Sequence, residues 1–178
     1  MRSPAHGSIY AVFNLFALSL VGLAYMQGWL ARVMENDLIH FSKIIIVVFL
    51  IALISGTIKM GSLVRELARA RKGLFDRAKS TIRLELMSEI SLYRHAATTL
   101  VMLGLAGTVI GFIIAISGMN GDVMSDPAKT ATMITTLFNG MHVMFYSTGA
   151  GVVLTVWLTW NYYVMSRAAT SIIIEAAK

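Results

Sequence analysis

Cysteine is absent from this 178-residue chain. Disulfides and thiolate chemistry are therefore excluded, and the redox compartment is left open. Charge is scarce as well: 13% of residues are Asp, Glu, Lys or Arg, and 57% are hydrophobic. Water-soluble domains carry about 25% charged residues. The bland alternative, a soluble helical bundle with a greasy core, is disfavoured because charge-free runs of membrane length recur along the chain. Also missing are a nucleotide-binding loop, a metal-ligand cluster and a nucleophile placed beside a base. The sequence thus predicts neither an enzyme nor a metal or cofactor site.

The most informative stretch is the run from His95 to Gly118. Between Arg94 and Asp122 no residue is charged. As a helix this run covers about 40 Å at ~1.5 Å per residue, more than the ~30 Å of a bilayer core. Gly104, Gly107 and Gly111 recur within it at spacings of three and four. Such spacing puts small residues on one face, where a second helix can approach closely. Thr108 lies among them.

Three further spans are expected. The first runs from Ile9 to Leu30, with Tyr10 at one end and Tyr25 and Trp29 at the other, positions suited to the two membrane interfaces. It lacks a basic leader and a small-residue cleavage site, so it reads as mature structure rather than a signal peptide. The second runs from Phe41 to Met60 around an aliphatic core, Ile44–Ile54. Its Ile/Val run suits a buried strand equally well by periodicity, but an isolated strand cannot satisfy its backbone in lipid. The fourth begins at Pro127, with Ser125 or Asp126 as its cap, and stays helical to about Arg167. At ~1.5 Å per residue that is about 60 Å, so the helix either projects from the membrane or bends near Asn139–Gly140. The chain then divides into an N-terminal transmembrane hairpin (1–60), a short amphipathic helical segment (61–94), a core holding the third and fourth spans (95–165) and a tail (166–178).

Between the second and third spans, Leu63, Leu67, Leu74, Ala78, Ile82, Leu86 and Ile90 recur at helical spacing, with a wider gap near Gly73. A solvated connector continuing the membrane helices is preferred here to a separate domain. The 15 basic residues are unevenly shared. With four spans, 12 fall on the side of both termini and three on the other. Lys and Arg accumulate on the cytoplasmic face, so both termini are expected to be cytoplasmic. This asymmetry explains the net charge of +6 without a nucleic-acid partner, and no nucleic-acid-binding motif accompanies it.

None of the spans contains an acid, although proton relays through lipid normally need a titratable side chain or a water path. What lies at depth is hydroxyl: Thr98, Thr99, Thr108, Ser117, Ser147, Thr148, Thr155 and Thr159. Thr108 lies about 21 Å past Arg94 and Thr148 about 29 Å before Arg167, whereas Thr136 is about 47 Å before Arg167 at ~1.5 Å per residue. Thr148 is therefore the better match for Thr108 across antiparallel helices. His95 reads as a border residue. His142 reads either as a proton-path residue or as a helix–helix hydrogen-bonding group.

At these residues the chain resembles the MotA/TolQ/ExbB proton-channel family. That family's penultimate span carries a pattern like LGLLGTVxG, matched by Leu103-Gly104-Leu105-Ala106-Gly107-Thr108-Val109-Ile110-Gly111. A weaker match to its last span involves Gly140, Met141, Met144, Phe145, Thr148, Gly151 and Val152, with Trp160-Asn161 in place of Tyr-Asn. The similarity covers about residues 95–165. The four-span count and cytoplasmic termini look closest to the flagellar-stator branch. Departures are also present: the proline usual in the last span is absent around Leu154–Trp157, a glutamate found in part of the family is Val143 here, and residues 59–94 are short for a torque-bearing domain.

The resemblance implies an all-α, ring-forming polytopic protein of the bacterial inner membrane. It implies a pentamer around two copies of a single-span MotB/ExbD/TolR-like partner, whose transmembrane Asp carries the proton. Thr108 and Thr148, with Ser147 and His142, are the expected ion-pathway residues; Gly104, Gly107, Gly111 and Gly151 are the expected packing residues. Hydroxyl oxygens also ligate sodium, so a sodium-driven version is compatible. The alternatives are a small channel or transporter working without an acidic partner, and a structural membrane scaffold.

Overall fold

The computed structural model describes residues 6–28, 41–71, 79–118 and 127–175. These form α1 (His6–Met26), α2 (Phe41–Arg71), α3 (Lys79–Ser117) and α4 (Pro127–Glu175). The fold is all-α, and all four helices are long and apolar enough to cross a membrane. The chain is a multi-pass membrane protein. The polar turn 31–40, the Gly73 gap, the Ser125/Asp126 cap and the interfacial Trp29 fall outside the described residues.

Helix is the form that lets each segment satisfy its own backbone in lipid. The Ile/Val run of α2 follows that rule despite its strand-like composition. Hydroxyl side chains are absorbed the same way, by donating to carbonyls one turn back. Ser55 bonds Ile51 O at 2.8 Å, Thr57 bonds Leu53 O at 2.9 Å and Ser117 bonds Ile114 O at 2.8 Å. At the end of α1, Gly28 adopts φ 72° and donates to Tyr25 O at 3.0 Å. This left-handed turn suits glycine, which lacks the Cβ that would clash there. Pro127 opens α4, where its missing N–H has no intrahelical partner to lose. α4 then continues through Asn139–Gly140 without interruption for 49 residues, about 73 Å at ~1.5 Å per residue. The helix is thus longer than the ~30 Å hydrocarbon core, and Asn139–Gly140 does not break it.

Contacts group the chain into two units. One comprises Met1–Gly22, Phe49–Thr98 and Val156–Lys178. Its core joins Tyr10 of α1, Met60, Leu63 and Leu67 of α2, Ile90 and Tyr93 of α3, and Val164, Met165, Ala168, Ala169 and Ile172 of α4. Leu63, Leu67 and Ile90 of the amphipathic stripe thus share one core with the last turns of α4, and residues 168–172 form part of it. Tyr10, expected at one interface, packs inward against the other helices. Its ring is buried and its hydroxyl lies 3.4 Å from Thr57 Oγ1. Gly56 makes room for it, because a Cβ there would lie 3.3 Å from the Tyr10 hydroxyl. The other unit comprises Leu23–Val48 and Thr99–Thr155 and holds the threonine and glycine motifs.

Candidate functional site

In the second unit α3 and α4 run antiparallel along a seam of small residues. A Cβ on Gly104 would lie 3.2 Å from Ser147 O and 3.4 Å from the Gly151 Cα. One on Gly151 would come within 2.9 Å of Leu100 O, and one on Gly111 within 2.7 Å of Gly140 O. At Gly107 it would meet Phe41 of α2 at 2.9 Å and overlap the Ser147 side chain. Each of the four expected packing glycines, three of them marked by spacing, therefore sits where backbone or a buried side chain crowds or occupies the space of a Cβ. The approach is close because dispersion and backbone contacts, rather than the hydrophobic effect, hold helices together in lipid.

This register brings Thr108 and Thr148 together. Their hydroxyls hydrogen-bond to each other. Thr108 also donates to Gly104 O at 3.1 Å, and Thr148 lies 3.4 Å from the same carbonyl. Two hydroxyl protons cannot serve all three contacts at once. When Thr148 donates to Thr108 and Thr108 to Gly104, the Thr148 oxygen keeps both lone pairs. Rotation of either hydroxyl turns the pair from acceptor to donor. It can thus meet a protonated carboxyl group, a carboxylate, a water or a sodium ion, without titrating itself.

Both threonines are half-buried. Leu105 and Phe112 on α3, and Phe145 and Val152 on α4, lie three or four residues from them and are exposed. Residues so spaced share a helix face. The hydroxyl pair is therefore set in an outward apolar surface that another transmembrane helix can cover.

No protein-family model matches this chain, and neither a curated protein nor a solved structure matches it.

Ser147 and His142 stand apart from the pair. Ser147 is fully buried against Gly107 and donates to Val143 O at 2.7 Å, so its hydroxyl is engaged within the seam. The His142 ring stacks on Tyr146, with centroids 5.7 Å apart. It lies six residues before Thr148, about 9 Å along the axis. Among the described residues no group of three or more His, Cys, Asp or Glu is placed to hold a metal.

A second polar cluster, in the first unit, escaped the sequence reading. Asn14 Nδ2 donates to Asn161 Oδ1 at 2.8 Å and to Tyr10 O at 2.9 Å. Asn14 Oδ1 accepts from Trp157 Nε1 at 2.7 Å and Asn161 Nδ2 at 3.1 Å. The amides answer one another, as buried polar groups in an apolar medium must. The available signal was an asparagine in the middle of the charge-free first span.

Proposed function

We propose that this chain is the ion-channel subunit of a proton-motive-force-driven motor complex in a bacterial inner membrane, akin to the MotA/TolQ/ExbB proteins. Several copies, five by the resemblance, surround the spans of a single-span partner whose membrane Asp carries the proton. The observation that carries this reading is the Thr108–Thr148 pair, open in an apolar face of a chain whose spans contain no acid.

In this mechanism the partner's carboxyl group docks at the pair. Ionised, it accepts from a threonine hydroxyl; protonated, it donates to the free lone pairs of Thr148. The two states differ in charge by one unit, and an uncompensated charge within lipid is costly. Proton arrival and departure therefore bias the partner between sitting at one hydroxyl pair and moving to the next. Both termini lie in the cytoplasm. The chain itself moves no covalent bond and acts as a channel component rather than an enzyme. Sodium, ligated by the same oxygens, is the alternative ion.

The test is ion flux through the native complex with Thr108→Val, Thr148→Val and the corresponding serine substitutions. Loss of one membrane hydrogen bond costs about 0.6 kcal/mol on average, so assembly survives. Flux is expected to collapse in the valine variants and persist in the serine variants. Unchanged flux with both valines rejects the assignment.

A further inference from the structure

Outside the seam, the first unit has an open groove of about 420 Å³ on the outer side of α1 and α4. It is lined by Ser8, Ile9, Val12, Phe13, Phe16 and Trp160. All but Ser8 are apolar, and the run from Ser8 to Phe16 covers about 12 Å of helix at ~1.5 Å per residue.

The groove connects to a cation. Phe13 packs on Trp160 with centroids 5.5 Å apart, and Trp160 packs on Tyr163 at 5.9 Å. The Arg167 guanidinium lies over the Tyr163 ring, 4.7 Å from its centroid. α1 and α4 are antiparallel here, since His6 lies 3.2 Å from Ser171 while Phe13 meets Trp160. That register sets Ser8, the polar end of the groove, level with Arg167. Phe16 is the far end, within the charge-free part of α1.

We propose that this groove holds one anionic phospholipid, an acyl chain lying along α1 and the headgroup phosphate meeting Arg167. An apolar trough ending at an exposed guanidinium has the polarity of a lipid. Arginine's planar fork also pairs with phosphate oxygens through two parallel hydrogen bonds. A zwitterionic lipid supplies the phosphate together with an ammonium that offsets it. The 12 basic residues on the side of the termini further favour an anionic headgroup there. The proposal rests on the membrane setting alone and is independent of the motor reading.

The experiment uses the full chain in phosphatidylcholine vesicles, titrated with phosphatidylglycerol whose acyl chains are brominated to quench tryptophan on contact. Quenching is expected to saturate at a low mole fraction, and Trp160→Phe should remove most of the saturable part. Arg167→Gln should raise the half-saturating fraction roughly fivefold, the effect of one surface charge, and Arg167→Lys, which keeps the charge without the fork, should restore only part of it. Three outcomes overturn the proposal. The first is quenching no steeper than with brominated phosphatidylcholine, a comparison that needs only the wild-type chain. The second is a titration unmoved by Arg167→Gln. The third is efficient disulfide formation between copies carrying Val12→Cys, which would seat a second copy in the groove.

Discussion

Gly111 and Gly140 pass so closely that a Cβ on Gly111 would sit 2.7 Å from the Gly140 carbonyl oxygen. Neither backbone atom can swing aside as a flexible side chain would. The α3–α4 register, and with it the threonine pairing, depends on this approach.

Alanine at Gly111 or Gly140 should therefore destabilise the seam by roughly 1–3 kcal/mol, the usual cost of overpacking. Gly61 is the control. It is helical, and nothing lies within 4 Å of the position of its Cβ. Gly61→Ala should leave stability unchanged or raise it by about 0.5–1 kcal/mol through lower unfolded-state entropy. Thermal unfolding in detergent compares the three, and equal effects would show that the seam does not govern stability.

The amide pair predicts non-additivity. Asn14→Leu strips Asn161 and the Trp157 indole N–H of their acceptor, leaving buried polar groups at about 1–3 kcal/mol. Asn161→Leu does the same to Asn14 Nδ2. With both replaced, fewer groups are left unsatisfied, so the double variant should be more stable than the summed single effects by about 0.5–2 kcal/mol. A double-mutant cycle followed by tryptophan fluorescence measures this coupling. Strict additivity would contradict the network.

Sidedness is open to direct labelling because the chain has no cysteine of its own. In intact cells a membrane-impermeant thiol reagent should reach Asn120→Cys but not Ala177→Cys. Permeabilisation should expose the second site. The reverse pattern would invert the membrane orientation.

Much of the fold was legible because the bilayer imposes simple rules. Length and the absence of charge marked all four helices, and Pro127 marked the start of α4. Glycine spacing pointed to the seam, and counting residues inward from Arg94 and Arg167 matched Thr108 with Thr148. Depth arithmetic works for straight helices in a slab of fixed thickness. Other features were not legible. The inward packing of Tyr10 over Gly56 and beside the Thr57 hydroxyl depends on α2, which the pattern of α1 does not report. Ser147 looked like a channel hydroxyl, but its position one residue from Thr148 turns it about 100° around α4, into the seam. The partnership of Asn14 with Asn161 joins residues 147 positions apart, a relation that periodicity within one helix cannot report.

The central claim is that another polypeptide supplies the charge that these hydroxyls handle. Imaging of the intact complex, purified from its native membrane at a resolution that shows side chains, tests it most directly. The account predicts several copies of this chain around foreign helices, with a carboxyl group of that partner within hydrogen-bonding reach of Thr108 or Thr148. An active assembly built from this chain alone, with no second protein inside the ring, would contradict it.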